Sequence, residues 1–137
     1  MVKVIVGNKG TGKTKQLIDS INSAIKTETG SMVCIEKGNN LTFDIDYRVR
    51  LVEASEYQMG SYEFLKGFLS GLHAGNFDIT HIFIDRLFKI VGNESPDDCA
   101  EFLTWCEEFG KANKMEFTIT ISTDPNALPD SVRKYFA

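Results

Sequence analysis

Hydrophobic and polar positions alternate along this chain in short blocks, and the period of each block indicates a strand or a helix. The mostly apolar run Val2–Val6 has the length of a buried strand. The next block repeats apolar side chains at the spacing of one helix face: Leu17, Ile18, Ile21, Ala24 and Ile25. After Gly30, the apolar run Met32–Ile35 is suited to a buried parallel strand. The beginning of the chain therefore predicts a strand, an amphipathic helix and a second strand.

The middle of the chain changes period. Apolar and polar residues alternate one by one over Leu41–Val52, which is typical of extended chain with one solvated face. This pattern fits either one long strand or a hairpin that turns near Asp44–Asp46.

A helical period follows. Ser55 and Gln58 have the spacing of a capping box at a helix start. Apolar side chains then continue at helical spacing to about Ala74: Tyr62, Leu65, Phe68, Leu69 and Leu72. Gly67 and Gly71 lower helix propensity, and we interpret them as positions where this helix closely approaches the sheet.

The second half of the chain repeats the alternation of strands and helices. Ile82–Ile84 is an apolar strand that ends at Asp85, and Ser95–Asp98 places Ser, Pro and two acids where a helix prefers them at its start. The helix that follows has one apolar stripe: Cys99, Phe102, Leu103, Cys106 and Phe109. Met115–Ile121 predicts a strand with Phe117, Ile119 and Ile121 on one face, and Asp130–Phe136 predicts a short last helix.

This order of elements predicts an α/β protein, with one domain over residues 1–137 and a mainly parallel central sheet flanked by helices in three layers. Ligands of such sheets bind outside the carboxyl ends of the strands. Four segments should meet at that edge: Gly7–Thr14, Glu36, Asp85 and Ser122–Thr123.

The segment Gly7–Thr14 reads Gly-Asn-Lys-Gly-Thr-Gly-Lys-Thr, the Walker A or P-loop pattern, between a predicted strand and a predicted helix. Glycines let such a loop turn its backbone N–H groups toward phosphate, and the helix N-terminus adds a positive dipole end. Lys13 is expected to reach the β- and γ-phosphates, and the Thr14 hydroxyl to help hold Mg²⁺. The predicted nucleotide-binding residues are Gly7, Asn8, Lys9, Gly10, Thr11, Gly12, Lys13, Thr14 and Lys15. The alternative is a glycine-rich turn without a ligand.

Asp85 ends an apolar strand after the P-loop unit, which fits the Walker B description of an Asp that positions Mg²⁺. With Thr14 it forms the predicted metal site. Its alternative role is to cap the next turn.

With these motifs in place, the chain resembles the P-loop NTPase superfamily, and an inserted strand between the P-loop unit and the Walker B strand resembles its additional-strand division, which includes RecA-like ATPases. In those relatives a Glu at the end of the strand after the P-loop helix polarises the attacking water, and Glu36 matches that position. The resemblance also implies a γ-phosphate sensor at Ser122 or Thr123. One departure is Arg86, which follows Asp85 where many members have Glu.

The resemblance implies a Mg²⁺-dependent protein that binds ATP and hydrolyses it slowly or when a partner stimulates it, with Lys13 and Glu36 as catalytic residues. The Asp85–Arg86 pair is also similar to an acidic-Arg pair in thymidylate and deoxynucleoside kinases, so a small-molecule kinase is an alternative. A third interpretation is a module that binds nucleotide without hydrolysing it. GTP is not excluded as the ligand, but no Asn-Lys-x-Asp motif of GTPase switches is present. A protein partner, or a second copy of the chain, would supply an arginine if Arg86, Arg48, Arg50 and Arg133 do not.

Composition bears on the partners and the location of the protein. The net charge is −4 and no run of Lys and Arg is present, so the charge does not indicate a nucleic-acid surface. No apolar stretch approaches the length of a membrane span and the start does not resemble a signal peptide, which favours the cytoplasm. The three cysteines show no paired spacing, and neither His73 nor His81 has a neighbouring pattern of metal ligands.

Overall fold

The computed structural model describes residues 1–38 and 45–137, and within them the chain alternates strands with helices. The strands are β1 (Val2–Gly7), β2 (Ser31–Glu36), β3 (Val49–Glu53), β4 (Ile79–Ile84) and β5 (Glu116–Ser122). The helices are α1 (Lys13–Thr27), α2 (Tyr62–Gly75), α3 (Leu87–Val91), α4 (Pro96–Asn113) and α5 (Asp130–Arg133). No helix in this part of the chain is long and apolar enough to cross a bilayer.

The strands form one sheet in the order β1-β5-β4-β2-β3, and every described pairing is parallel. The carboxyl ends of the five strands therefore lie at one edge. Gly7 pairs with Ser122 at that edge, and Glu36 pairs with Glu53. The predicted α/β class with a parallel sheet flanked by helices is confirmed.

Helices cover both faces of the sheet, so its strands are buried on both sides. On one face α1 packs over a cluster of apolar side chains: Leu17, Ile21, Ala24, Met32, Cys34, Val49 and Phe83. The opposite face packs against α2 and α4, and includes Phe117, Ile119 and Ile121 of β5, as their shared period predicts. Since neighbouring residues of a strand point to opposite faces, Thr118 and Thr120 lie on the α1 face.

The predicted start of α4 is confirmed. The Ser95 hydroxyl accepts a hydrogen bond from the Asp98 N–H at 3.3 Å, and Pro96 is the first residue of the helix. The predicted stripe of α4 is buried except for Phe109, which is only partly buried. The three cysteines are buried free thiols, as small core residues would be.

The expectation for Leu41–Val52 is confirmed at its end, because Val49–Val52 is a strand, and it is wrong for residues 45–48, which form a turn. Residues 39–44 lie outside the described residues, so the expectation is tested only from Ile45 onward. Asp46 begins a turn in which its carboxylate accepts from the Arg48 N–H at 2.8 Å and its carbonyl accepts from the Val49 N–H at 2.9 Å. The strand then begins at Val49 and pairs in parallel with β2, which is not a hairpin arrangement. An Asx turn has replaced extended chain here, because a short acidic side chain readily bonds the backbone two residues on.

The predicted helix start at Ser55 is also wrong. Ser55 lies in a short 3₁₀ turn, Ala54–Glu56, where its hydroxyl bonds the Glu53 carboxylate instead of capping an α-helix. The cap of α2 is Ser61, whose hydroxyl accepts from the Phe64 N–H at 3.1 Å.

Gly67 and Gly71 do not mark a close approach to the sheet. Both are exposed on α2, and a Cβ built at either would meet no heavy atom of the described chain within 4 Å. We expect Gly67→Ala and Gly71→Ala each to raise the free energy of unfolding by up to about 1 kcal/mol, because alanine lowers the conformational entropy of the unfolded chain and favours helix.

Chemical denaturation of the two variants measures this gain. Gly110→Ala in α4 is the matched control, because its Cβ would lie 2.5 Å from the Met115 carbonyl oxygen and should destabilise the protein. A loss of stability in Gly67→Ala or Gly71→Ala would contradict this expectation. It would mean that another surface packs against α2 so closely that a Cβ at these positions clashes with it.

Candidate functional site

The loop between β1 and α1 depends on glycine. Gly10 has φ +85° and Gly12 has φ +84°, in the left-handed region that side chains with a Cβ rarely adopt. Gly12 is the N-cap residue of α1 and offers no side chain to cap it, so the first N–H groups of this 15-residue helix are not bonded by their own cap. Such a helix start favours an anionic ligand.

The Lys13 side chain folds back over this loop. It is only 6% exposed, and its Nζ donates to the Asn8 carbonyl oxygen at 2.8 Å. The Thr11 hydroxyl donates to the same oxygen at 2.7 Å, so one carbonyl organises the turn. Burial lowers the pKa of the Lys13 ammonium, and the Asp85 carboxylate partly opposes that shift. The loop thus holds a partly desolvated cation at the start of α1.

Asp85 lies just beyond β4 and is held by the neighbouring strand. Its Oδ1 accepts a 2.7 Å hydrogen bond from the Thr120 hydroxyl, and that hydroxyl accepts from the Arg86 N–H, also at 2.7 Å. Arg86 has φ 56°, a left-handed conformation that is uncommon for a residue with a Cβ. Thr120 therefore stabilises both the buried carboxylate and the turn that follows it.

The second oxygen of Asp85 is less well satisfied. Asp85 is 1% exposed, and its Oδ2 has no hydrogen-bond partner within the described residues. The Nε of Arg86 lies 3.5 Å from this oxygen, and the arginine's Nη2 donates to the Lys37 carbonyl at 3.2 Å. Asp85 therefore has an ion pair at Oδ2 and keeps unused capacity to accept a donor or a cation.

A pocket of about 500 Å³ opens in front of the loop. One wall consists of loop and α1 residues, and the other comes from the turn after β4 and from α3. Its lining residues are Lys9, Gly10, Gly12, Lys13, Thr14, Arg86, Phe88, Lys89 and Ser122. Cationic side chains outnumber acidic ones in this lining, so the pocket suits an anion.

The structure brings the predicted site residues to one edge of the sheet, but not all into this pocket. Lys15 is exposed on α1, and the Thr123 N–H donates to the Gly7 carbonyl at 3.0 Å. Glu36 is buried at the end of β2, 1% exposed. Burial raises the pKa of the Cys34 thiol, and the Asp85 and Glu36 carboxylates raise it further, which places both acids near the same side chain.

Three residues of the site were not predicted from the sequence: Thr120, Phe88 and Lys89. Thr120 could have been found from the two threonines of the otherwise apolar strand β5. In a strand buried on both faces, a hydroxyl almost always has a hydrogen-bond partner, so each of these threonines should bond a nearby polar group. Phe88 and Lys89 belong to α3, whose five residues are too few to show a helical period.

Comparisons with known proteins do not assign this site. No family model matches the chain, and a search of the curated proteins found no match. The chemistry must therefore be argued from the geometry of these residues.

Proposed function

We propose that this protein binds a Mg²⁺–nucleoside triphosphate, with ATP as the leading candidate, as a P-loop NTPase of the additional-strand division. The observation that supports the proposal most is the buried Lys13 ammonium folded over a turn with two left-handed glycines, Gly10 and Gly12, at the start of α1. The sheet order supports the division through β5, which lies between the P-loop strand β1 and the Asp85 strand β4 although it follows β4 in the chain. The strands β2 and β3, which lie between β1 and β4 in the chain, are on the other side of β4 in the sheet.

Phosphate binding would use groups that are already in place. The backbone N–H groups of the loop and of the first turn of α1 donate to the phosphate oxygens, and the helix dipole favours the negative charge. Lys13 exchanges its bond to the Asn8 carbonyl for bonds to the phosphates. In this exchange the Lys13 ammonium leaves a neutral carbonyl oxygen and bonds anionic phosphate oxygens. Hydrogen bonds between charged groups are stronger, so the ammonium is held more tightly when triphosphate is bound.

The residues present fit a magnesium ion. The buried Oδ2 of Asp85 has capacity for a further partner, and Thr14, in the first turn of α1, lines the pocket. Carboxylate and hydroxyl oxygens are the ligand types that Mg²⁺ takes in phosphate sites. The ion would supply neutralisation of charge on the phosphates, and Arg86 would give up its ion pair with Asp85 as the metal binds.

Hydrolysis in this proposal is slow. Glu36 orients the attacking water and Ser122, which lines the pocket, contacts the γ-phosphate. Arg86 pairs with the Asp85 carboxylate where many relatives have an acid, so the chain has no second carboxylate at that position. Stimulation by a protein partner or a second copy of the chain belongs to the same proposal.

A kinase is the second candidate, and a second pocket favours it. This pocket has a volume of about 370 Å³ and lies where β3 ends, with Tyr57, Met59, Phe64 and Ile90 in its lining. Ile90 belongs to α3, which also lines the phosphate pocket through Phe88 and Lys89. A small acceptor bound there would adjoin the same edge of the sheet.

Calorimetry tests the proposed function directly. Titration of the protein with Mg-ATP should give saturable binding of one nucleotide per chain, and chelation of Mg²⁺ should weaken it. Phosphate release measured on the same samples distinguishes hydrolysis from binding alone, and a panel of nucleosides and small alcohols tests phosphoryl transfer. No heat and no rise in melting temperature with Mg-ATP or Mg-GTP would exclude the proposal.

A further inference from the structure

A second polar cluster lies at the opposite edge of the sheet, where β4 and β5 begin. Three side chains contribute one ligand atom each, and these atoms lie within 4.8 Å of one another: Glu28, His81 and Glu116. Glu28 is the C-cap residue of α1, His81 is in β4 and Glu116 is the first residue of β5. The sequence showed no ligand pattern near His81 because the partners come from distant segments.

The imidazole of His81 is held in one orientation. Its Nε2 lies 2.8 Å from the Thr118 hydroxyl, and its ring stacks on Phe83 with 4.0 Å between centroids. The ring is almost fully buried, with 6% of the residue exposed. If Nε2 carries the proton and donates to Thr118, the lone pair of Nδ1 points toward the carboxylates. A hydrogen-bonded outer nitrogen is the usual way in which a protein orients a metal-binding histidine.

Both carboxylates approach that same nitrogen. Nδ1 of His81 lies 2.9 Å from a Glu28 oxygen, a hydrogen bond when Nδ1 carries the proton, and 3.7 Å from a Glu116 oxygen. A metal ion bound to Nδ1 would take the place of that proton. The two carboxylates carry two negative charges, and only the imidazole, when protonated, offsets one of them within this cluster of three. A divalent cation would neutralise both charges without requiring that protonation.

Space for a ligand adjoins the cluster. A small void of about 30 Å³ is lined by two of the three residues, His81 and Glu116, and by Thr118 and Lys3, while Glu28 lies outside its lining. This volume is large enough for an ion or a water molecule. The Glu116 side chain is 50% exposed, so an ion has a route from solvent. The Lys3 side chain is part of this lining, and its ammonium would have to point away from a bound cation.

We propose that Glu28, His81 and Glu116 bind one divalent transition-metal ion, of which Zn²⁺ is the reference case, through His81 Nδ1 and one oxygen of each carboxylate. An imidazole with two carboxylates selects such ions over Mg²⁺ or Ca²⁺, which prefer oxygen alone. The ion would join the end of α1 to the starts of β4 and β5. This site is separate from the proposed nucleotide site, which lies at the other end of α1.

The test uses metal-free protein without nucleotide, titrated with Zn²⁺ and, in parallel, with Co²⁺. We expect one ion per chain and a rise in melting temperature with Zn²⁺. Glu116→Gln should weaken Zn²⁺ binding by about ten-fold or more, because losing even an outer-shell partner of a metal ligand typically costs that much. Because Glu116 is half exposed, this variant should fold, and Glu28→Gln provides a second ligand variant. Glu108→Gln, an exposed acid of α4, is the control and should bind as wild type.

Several outcomes would overturn the proposal. These are no Zn²⁺ binding by the wild type, unchanged affinity in both Glu116→Gln and Glu28→Gln, or equal loss in Glu108→Gln. Co²⁺ distinguishes the ligands, because thiolate ligation gives an intense charge-transfer band that nitrogen and oxygen ligands lack. Such a band would assign the ion to the cysteines instead. None of these results depends on whether the protein binds a triphosphate.

Discussion

Replacement of Lys13 by alanine is expected to weaken Mg-ATP binding by about a hundred-fold or more. Two charge-assisted hydrogen bonds to phosphate contribute about 1.5–3 kcal/mol each, and every 1.4 kcal/mol corresponds to a factor of ten in affinity. The Lys13 side chain is already only 6% exposed, so part of its desolvation has occurred before the ligand binds. The bond from Nζ to the Asn8 carbonyl is lost in exchange, which offsets part of the gain from the phosphate contacts.

Calorimetry on Lys13→Ala measures this loss, and circular dichroism with thermal melting checks that the fold is intact. Lys26→Ala is the matched control because it removes the same charge from the exposed far end of α1. We expect its affinity to stay within about two-fold of wild type, since exposed charges this far away are screened by salt. Retained affinity in Lys13→Ala, or an equal loss in Lys26→Ala, would mean that binding does not involve this loop.

Thr120→Val is expected to lower the free energy of unfolding by about 3 kcal/mol. Valine has nearly the same shape but no hydroxyl, so Asp85 loses its 2.7 Å donor and the Arg86 N–H loses its 2.7 Å acceptor. A buried polar group left unsatisfied costs about 1–3 kcal/mol, and a buried charge costs more. The left-handed backbone of Arg86 would also lose the bond that stabilises it.

Urea unfolding of Thr120→Val gives the total cost, and a double-mutant cycle with Asp85→Asn separates its parts. If the hydroxyl acts mainly through the charge of Asp85, its removal should cost only about 1 kcal/mol when residue 85 is an amide. Thr27→Val on the exposed end of α1 is the control and should change stability by less than about 0.5 kcal/mol. A near-zero effect of Thr120→Val would show that Asp85 does not depend on this hydrogen bond.

The two helix starts show how far local rules extend. Ser95 and Ser55 both precede residues that suit a helix start, yet only Ser95 caps an α-helix. The difference lies outside the local pattern, because the Glu53 carboxylate at the end of β3 bonds Ser55 and the chain continues to Ser61 before α2 begins. A competing side-chain partner therefore decides the boundary, although the apolar stripe had correctly indicated the helix itself.

The alternating segment that leads into β3 shows that side-chain hydrogen bonds also decide where a strand begins. The alternation of apolar and polar residues correctly predicted Val49–Val52 as extended chain, since apolar side chains at every second position can pack on one face of a sheet. The alternation continued into residues around Asp46, where a side-chain turn satisfies the backbone as well as a strand would. Periodicity reports which faces can be buried, but it does not report which backbone bonds are made.

The sequence by itself determined the parallel α/β class, the loop of Gly7–Thr14 between a strand and a helix, and the placement of acids and hydroxyls at strand ends. These follow from local propensity, since glycine conformation and apolar period depend only on near neighbours. Only the tertiary structure decided that Thr120 bonds Asp85, 35 residues away, and that Glu28 meets His81, 53 residues away. Those contacts depend on the strand order β1-β5-β4-β2-β3, and the apolar pattern does not specify an order, because many arrangements bury the same side chains.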